Sequence, residues 1–188
     1  MGYSLARLVS IAGHPAVLMP VAAVIAARDI DVRNAFLVSV ACAFVVVVYS
    51  IYKTRRGDWV HIDASVPAER SQLNSRVGLC LLAIAGLLAF AGLHVGIPVV
   101  VGLSGLIVLV AHLLRDLAKL SLHVAFAVFS AVLVWPNHVA ALGLAVMAVA
   151  VGWSRIALRR HVAADIMLGA VTGLSSGLLF HAMARLAA

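Results

Sequence analysis

Long apolar runs separated by short polar ones set the pattern of this chain. Apolar residues dominate 15–27, 34–52, 77–93, 95–114, 121–135, 139–158 and 162–184. A helix needs about 20 mostly apolar residues to cross the bilayer core, and these runs reach that length or fall somewhat short of it. The first is short and carries Pro20, so with the amphipathic stretch before it, it either spans or only dips. The breaks are legible as polar or turn-forming text. ARDIDVRN carries four charges, 53–76 is the one long polar loop, and LHVGIP, WPNH and ALRRH mark tight turns. The pattern predicts an all-α, polytopic transmembrane bundle of about six to seven helices. It forms a single membrane domain over 1–188, with an N-terminal helix within 1–33, a polar loop at 53–76 and a core at 115–177.

Composition agrees. Hydrophobic residues make up 64% of the chain and charged ones 11%, against roughly half and a quarter in soluble domains. So short a chain cannot bury that much apolar surface in one core, so lipid is the expected solvent. The net charge is +7, but the basic residues sit between apolar runs, at headgroup level, where they orient a membrane protein and attract anionic groups. No nucleic-acid partner is expected. Cys42 and Cys80 lie inside apolar runs and read as small core residues, not as a disulfide or metal pair. The N-terminal MGYSLARLVSIAGHP has one Arg and no small-residue cleavage site after an apolar core, so no cleavable signal is expected.

Counting crossings from the 53–76 loop returns the chain to the same side at 115–120 and again at 154–161. Three polar segments therefore converge on one membrane face. The last run carries Gly169, Gly173 and Gly177 at steps of four, a flat stripe suited to close helix packing, and Asp165 continues that stripe toward protein.

The strongest chemical signal is SRIALRRHVAAD, with Ser154, Arg155, His161 and Asp165. At i and i+4 on a helix, the Asp165 carboxylate can hold the His161 imidazole. That fixes the tautomer and leaves the other ring nitrogen as base or nucleophile. Arg155 offers a planar fork for phosphate oxygens, and the start of the last helix adds N–H groups and a favourable dipole. The second signal is Lys119-Leu-Ser121-Leu-His123, where a lysine, a capping serine and a histidine suited to general acid catalysis stand together. The other six histidines, His14, His61, His94, His112, His138 and His181, show no such partners. His14, His94, His112 and His181 are expected to be packed or interfacial, and His138 to sit in a turn.

Ser154-Arg155, five residues, His161, three residues, Asp165 resembles in full the third signature of the type 2 phosphatidic acid phosphatase (PAP2) superfamily. The second signature, Pro-Ser-Gly-His, has its counterpart in Leu120-Ser121-Leu122-His123, which keeps the serine and histidine. The first, Lys, six residues, Arg-Pro, meets only Asp63, six residues, Arg70-Ser71. RRGDWVHIDASVPAER is similar to a small bacterial membrane subgroup with an Asp and an Arg there. The resemblance covers about 53–177 and implies a PAP2-like core. It implies that His161 is the nucleophile forming a phosphohistidine, that Asp165 orients it, and that His123 protonates the leaving group. Arg155, Lys119 and Arg70 would bind phosphate with Ser121 and Ser154, and Asp63 would support Arg70. It also implies no cofactor and no metal.

The expected function is metal-independent hydrolysis of a lipid phosphate at the membrane surface. The expected partners are membrane lipids and an isoprenoid phosphate or pyrophosphate, phosphatidylglycerol phosphate or phosphatidic acid, with a homodimer as an assembly to test. Two alternatives stand beside it: a lipid-binding or transport protein that keeps the fold without turnover, and a membrane carrier of haem or metal using some of the eight histidines. Setting aside three candidate phosphate ligands, eight Lys and Arg residues lie on the site's side and three on the other. The positive-inside rule then favours the cytoplasmic face of the inner (plasma) membrane.

Overall fold

The computed structural model describes residues 2–28, 31–62, 64 and 66–186. These form eight helices: α1 (Gly2–Ala12), α2 (Pro15–Ala26), α3 (Val32–Arg55), α4 (Pro67–Phe90), α5 (Gly96–Leu113), α6 (Leu122–Leu133), α7 (His138–Ala157) and α8 (Ala163–Leu186). The chain is thus a polytopic helical bundle. Among the described residues, α3, α4, α5, α7 and α8 are long and apolar enough to cross a membrane, and α1 with α2 would add a sixth crossing if that bent pair is one span. The outward faces carry large apolar side chains such as Phe44, Phe90, Val139 and Leu142, as a lipid solvent requires.

Three expected boundaries are corrected. The N-terminal helix within 1–33 is two helices that meet at 49°. His14 starts the second, with Nδ1 accepting from Ala16 N at 3.1 Å and Pro15 in the first turn, so the break is a capped helix start. The 53–76 loop is shorter than expected, because α3 runs to Arg55 and α4 opens at Pro67. The run at 121–135 does not form a helix of full span length, since the 12 residues of α6 rise only about 18 Å. It is instead the hub of the bundle, packed against α2, α5, α7 and α8, with Ala125, Ala127 and Phe129 fully buried.

The glycine stripe makes the closest of these contacts. A Cβ on Gly169 would lie 2.6 Å from the Ser121 carbonyl oxygen, and one on Gly177 would lie 2.5 Å from Val132 Cβ. At Gly173 it would run into the Ala125 carbonyl oxygen. No side chain fits there, so α8 lies backbone to backbone on α6 and carries Asp165 to the start of that helix. Gly78 and Gly105 do the same for α4 and α5: a Cβ on Gly105 would meet the Gly78 carbonyl oxygen at 2.9 Å.

Candidate active site

The end of α7, the starts of α4, α6 and α8, and the break between α1 and α2 meet at one end of the bundle. α7 ends at Ala157, and Arg159 turns the chain with φ of 52°. Arg160 N and His161 N then close on the Arg155 carbonyl at 2.9 and 3.3 Å. This left-handed C-terminal turn satisfies the last carbonyls of α7 and delivers His161 directly above the first turn of α8.

His161 Nδ1 and Asp165 Oδ2 are 3.1 Å apart, and the same oxygen accepts from Val162 N at 3.2 Å. With the carboxylate ionised, Nδ1 carries the hydrogen and Nε2 is left with its lone pair. Both side chains are largely buried, 8% and 11% exposed. Burial pushes the His161 imidazole down to about 4; Arg155 and Lys119 act in the same direction, and the Asp165 hydrogen bond opposes them. At neutral pH the ring is therefore neutral. A neutral imidazole with one nitrogen held and the other free is the form a nucleophile needs.

Cations surround this pair. Lys119 Nζ donates to the Arg160 carbonyl at 2.7 Å, which ties the α5–α6 connection to the α7–α8 turn. Burial lowers the Lys119 pKa, Arg70, Arg155 and Arg160 add to that effect, and Asp165 opposes it. Arg70 lies within electrostatic reach of both Lys119 and Asp165. It was expected on the polar loop but stands in the first turn of α4. The loop braces that turn: Glu69 Oε1 accepts from Val60 N at 2.6 Å, and Trp59 Nε1 donates to Gln72 Oε1 at 2.9 Å. Asp63, expected to support Arg70, lies outside the described residues.

Ser121 is fully buried, and its hydroxyl makes no hydrogen bond among the described residues. Its backbone N–H donates to the Asp165 carbonyl at 3.2 Å, so this unmatched hydroxyl stands one bond network away from His161. A buried polar group without a partner costs stability and is a natural place for a ligand oxygen. His123, in the first turn of α6, lies within electrostatic reach of Arg155, Arg160 and His161. The structure therefore gathers His161, Asp165, His123, Arg155, Lys119, Arg70 and Ser121. Ser154 is the exception in detail, because its buried hydroxyl donates to the Val151 carbonyl at 2.7 Å and so points back into its own helix.

Two contacts lay beyond the expected site. Arg155 Nη1 donates to Ser10 Oγ at 2.9 Å, and the His14 ring meets that of His123 edge-on, with centroids 5.0 Å apart. The sequence carried a faint signal for both: a serine within an apolar helix, and a Gly13-His14-Pro15 break between two apolar segments. Of the remaining histidines, His138, expected in a turn, is the first residue of α7 and meets Trp135 edge-on with ring centroids 4.5 Å apart, and His112 contacts Ser71 and Arg115. Among the described residues, no three His, Cys, Asp or Glu side chains gather as a metal-binding group. No family model matches the chain, and no curated protein or solved structure does.

Proposed function

We propose that this protein is a metal-independent lipid phosphate phosphatase that works through a phosphohistidine on His161. The observation that carries the reading is the His161–Asp165 pair, held at 3.1 Å and ringed by Lys119, Arg70 and Arg155. The resemblance of Ser154, Arg155, His161 and Asp165 to the third PAP2 signature supports the same reading.

The steps are those the PAP2 resemblance implies, assigned to the residues gathered here. The phosphate group enters among Arg70, Lys119 and Arg155, with the Ser121 hydroxyl donating to one of its oxygens. His161 Nε2 attacks phosphorus; the N–P bond forms as the bond to the leaving oxygen breaks, and that oxygen takes a proton from His123, which enters the step as the imidazolium once the phosphate's negative charge is bound beside it. The positive charge that develops on the His161 ring is stabilised by Asp165. Water, deprotonated by His123, then attacks phosphorus, breaks the N–P bond, releases inorganic phosphate and restores both histidines. Fixed cations and helix N-termini do here what a bound divalent ion does elsewhere, offsetting the charge of the transferring group.

Apolar helix faces beside a charged site suit a substrate whose head is phosphate and whose tail stays in lipid. Isoprenoid phosphates and pyrophosphates, phosphatidylglycerol phosphate and phosphatidic acid all meet that description. The excess of Lys and Arg around the site favours the cytoplasmic face of the plasma membrane.

The test is release of phosphate by detergent-solubilised protein from a panel of these lipids, with excess EDTA present. Wild-type protein turns over at least one of them and is inhibited by vanadate, while His161→Ala stays monodisperse and inactive. Binding of a lipid without phosphate release would favour a carrier with this fold. Loss of activity in EDTA, restored by a divalent cation, would replace the mechanism with metal-assisted hydrolysis.

A further inference from the structure

The N-terminal segment touches two of the groups given roles above, and neither sequence motif accounts for that. Helix α1 turns its small residues Ala6 and Ser10 inward and packs along α7. At its end there is no room for a Cβ on Gly13, which would run into the Val151 side chain. Val151 lies one turn before Arg155, so the close approach at Gly13 seats Ser10 beside the guanidinium. There Ser10, 8% exposed, accepts from Arg155 Nη1 at 2.9 Å.

The next residue fixes the other contact. His14 Nδ1 accepts from Ala16 N at 3.1 Å, which holds its ring, and that ring stands at 87° to the ring of His123. The segment therefore braces one ligand of the phosphate and the group that handles the leaving oxygen.

We propose that Ser10 is a positioning residue for Arg155, and that the broken helix pair is by this contact part of the active site. The proposal rests on the phosphatase reading for the role of Arg155. An arginine binds phosphate well when its planar fork is already aimed, because less freedom is then lost on binding. A carboxylate would aim it too, but would also offset its charge. A neutral hydroxyl orients the guanidinium without placing a further negative charge beside it.

The experiment is calorimetric binding of orthovanadate to detergent-solubilised protein, with thermal unfolding measured in parallel. Losing one hydrogen bond to a charged group predicts about tenfold weaker binding in Ser10→Ala, with a similar fall in kcat and an unfolding midpoint close to wild type. In an Arg155→Lys background, Ser10→Ala changes the affinity less than about twofold, because the fork it aims is gone. Ser10→Cys, which keeps the volume but accepts weakly, falls between wild type and Ala, and carries the test if the alanine variant does not fold. Unchanged vanadate affinity in Ser10→Ala, or the same loss in both backgrounds, overturns the proposal while leaving the phosphatase reading intact. Wild-type protein that neither binds vanadate nor releases phosphate overturns both.

Discussion

Replacing Asp165 with Asn isolates the charge of the pair from its geometry. In the structure Asp165 Oδ2 accepts from His161 Nδ1 at 3.1 Å and from Val162 N at 3.2 Å. An asparagine oxygen can occupy the same place, and the backbone bond from Ser121 to the Asp165 carbonyl is untouched. Before reaction His161 is neutral, so the substitution costs the ground state little. In the transition state the ring becomes an imidazolium. With charge centres roughly 4 Å apart and an effective dielectric near 20, the carboxylate contributes about 4 kcal/mol to that state. The amide oxygen recovers roughly 1 kcal/mol as a hydrogen-bond acceptor. The remaining ~3 kcal/mol corresponds to about a hundredfold fall in kcat. KM for the lipid phosphate stays within about threefold, since the same interaction is nearly absent before the transition state. The assay is steady-state phosphate release in mixed micelles at saturating and limiting substrate. A kcat within threefold of wild type, or a loss carried entirely by KM, would refute the assigned role of Asp165.

Other expectations follow from the same geometry. Lys119→Ala and Arg70→Ala each lower the rate about a hundredfold by removing a fixed cation, whereas Arg56→Ala, on the exposed Tyr52 hydroxyl, changes it little; equal and minor losses at all three would show that the phosphate rests elsewhere. Because burial holds the folded His161 at about 4, below its ordinary value of 6.5, the unfolded chain binds the extra proton between those values. The stabilising effect of a neutral His161 is therefore full above pH 6.5 and lost as pH falls toward 4, so the unfolding midpoint drops across that window more steeply in wild type than in His161→Ala. Gly173→Ala forces a methyl group into the Ala125 carbonyl and costs about 1–3 kcal/mol by overpacking, read as a lower unfolding midpoint together with reduced activity, because α8 carries Asp165.

The helical bundle was legible because the lengths of apolar runs report directly on lipid contact. The misplaced boundaries share one cause. Apolarity marks where lipid is, whereas α4 continues for ten residues beyond it, through PAERSQLNSR, opened by Pro67 and with Glu69 in its first turn. Those are favourable helix-start features, and they move Arg70 from a loop onto a helix. The opposite error occurred at α6, where apolar residues continue to Trp135 but the helix stops at Leu133. Its apolarity reflects burial among four other helices. His161 and Asp165 were legible because four residues is one helical turn, a local relation. The Ser10–Arg155 bond spans 145 positions and depends on how α1 lies on α7, which no local spacing encodes. The Ser154 hydroxyl shows the limit of motif reading from the other side, since its position matches the signature while its hydrogen bond serves its own helix.

The central claim is the covalent intermediate, and the most direct measurement is to trap it. Protein mixed with radiolabelled lipid phosphate is quenched within the first turnover in alkali, which preserves a phosphorus–nitrogen bond, then digested and sequenced by mass spectrometry. The label is expected on His161, at a stoichiometry that rises and falls with turnover, and is absent from His161→Ala. Sustained phosphate release with no label on His161, or with label on another residue, would contradict the account.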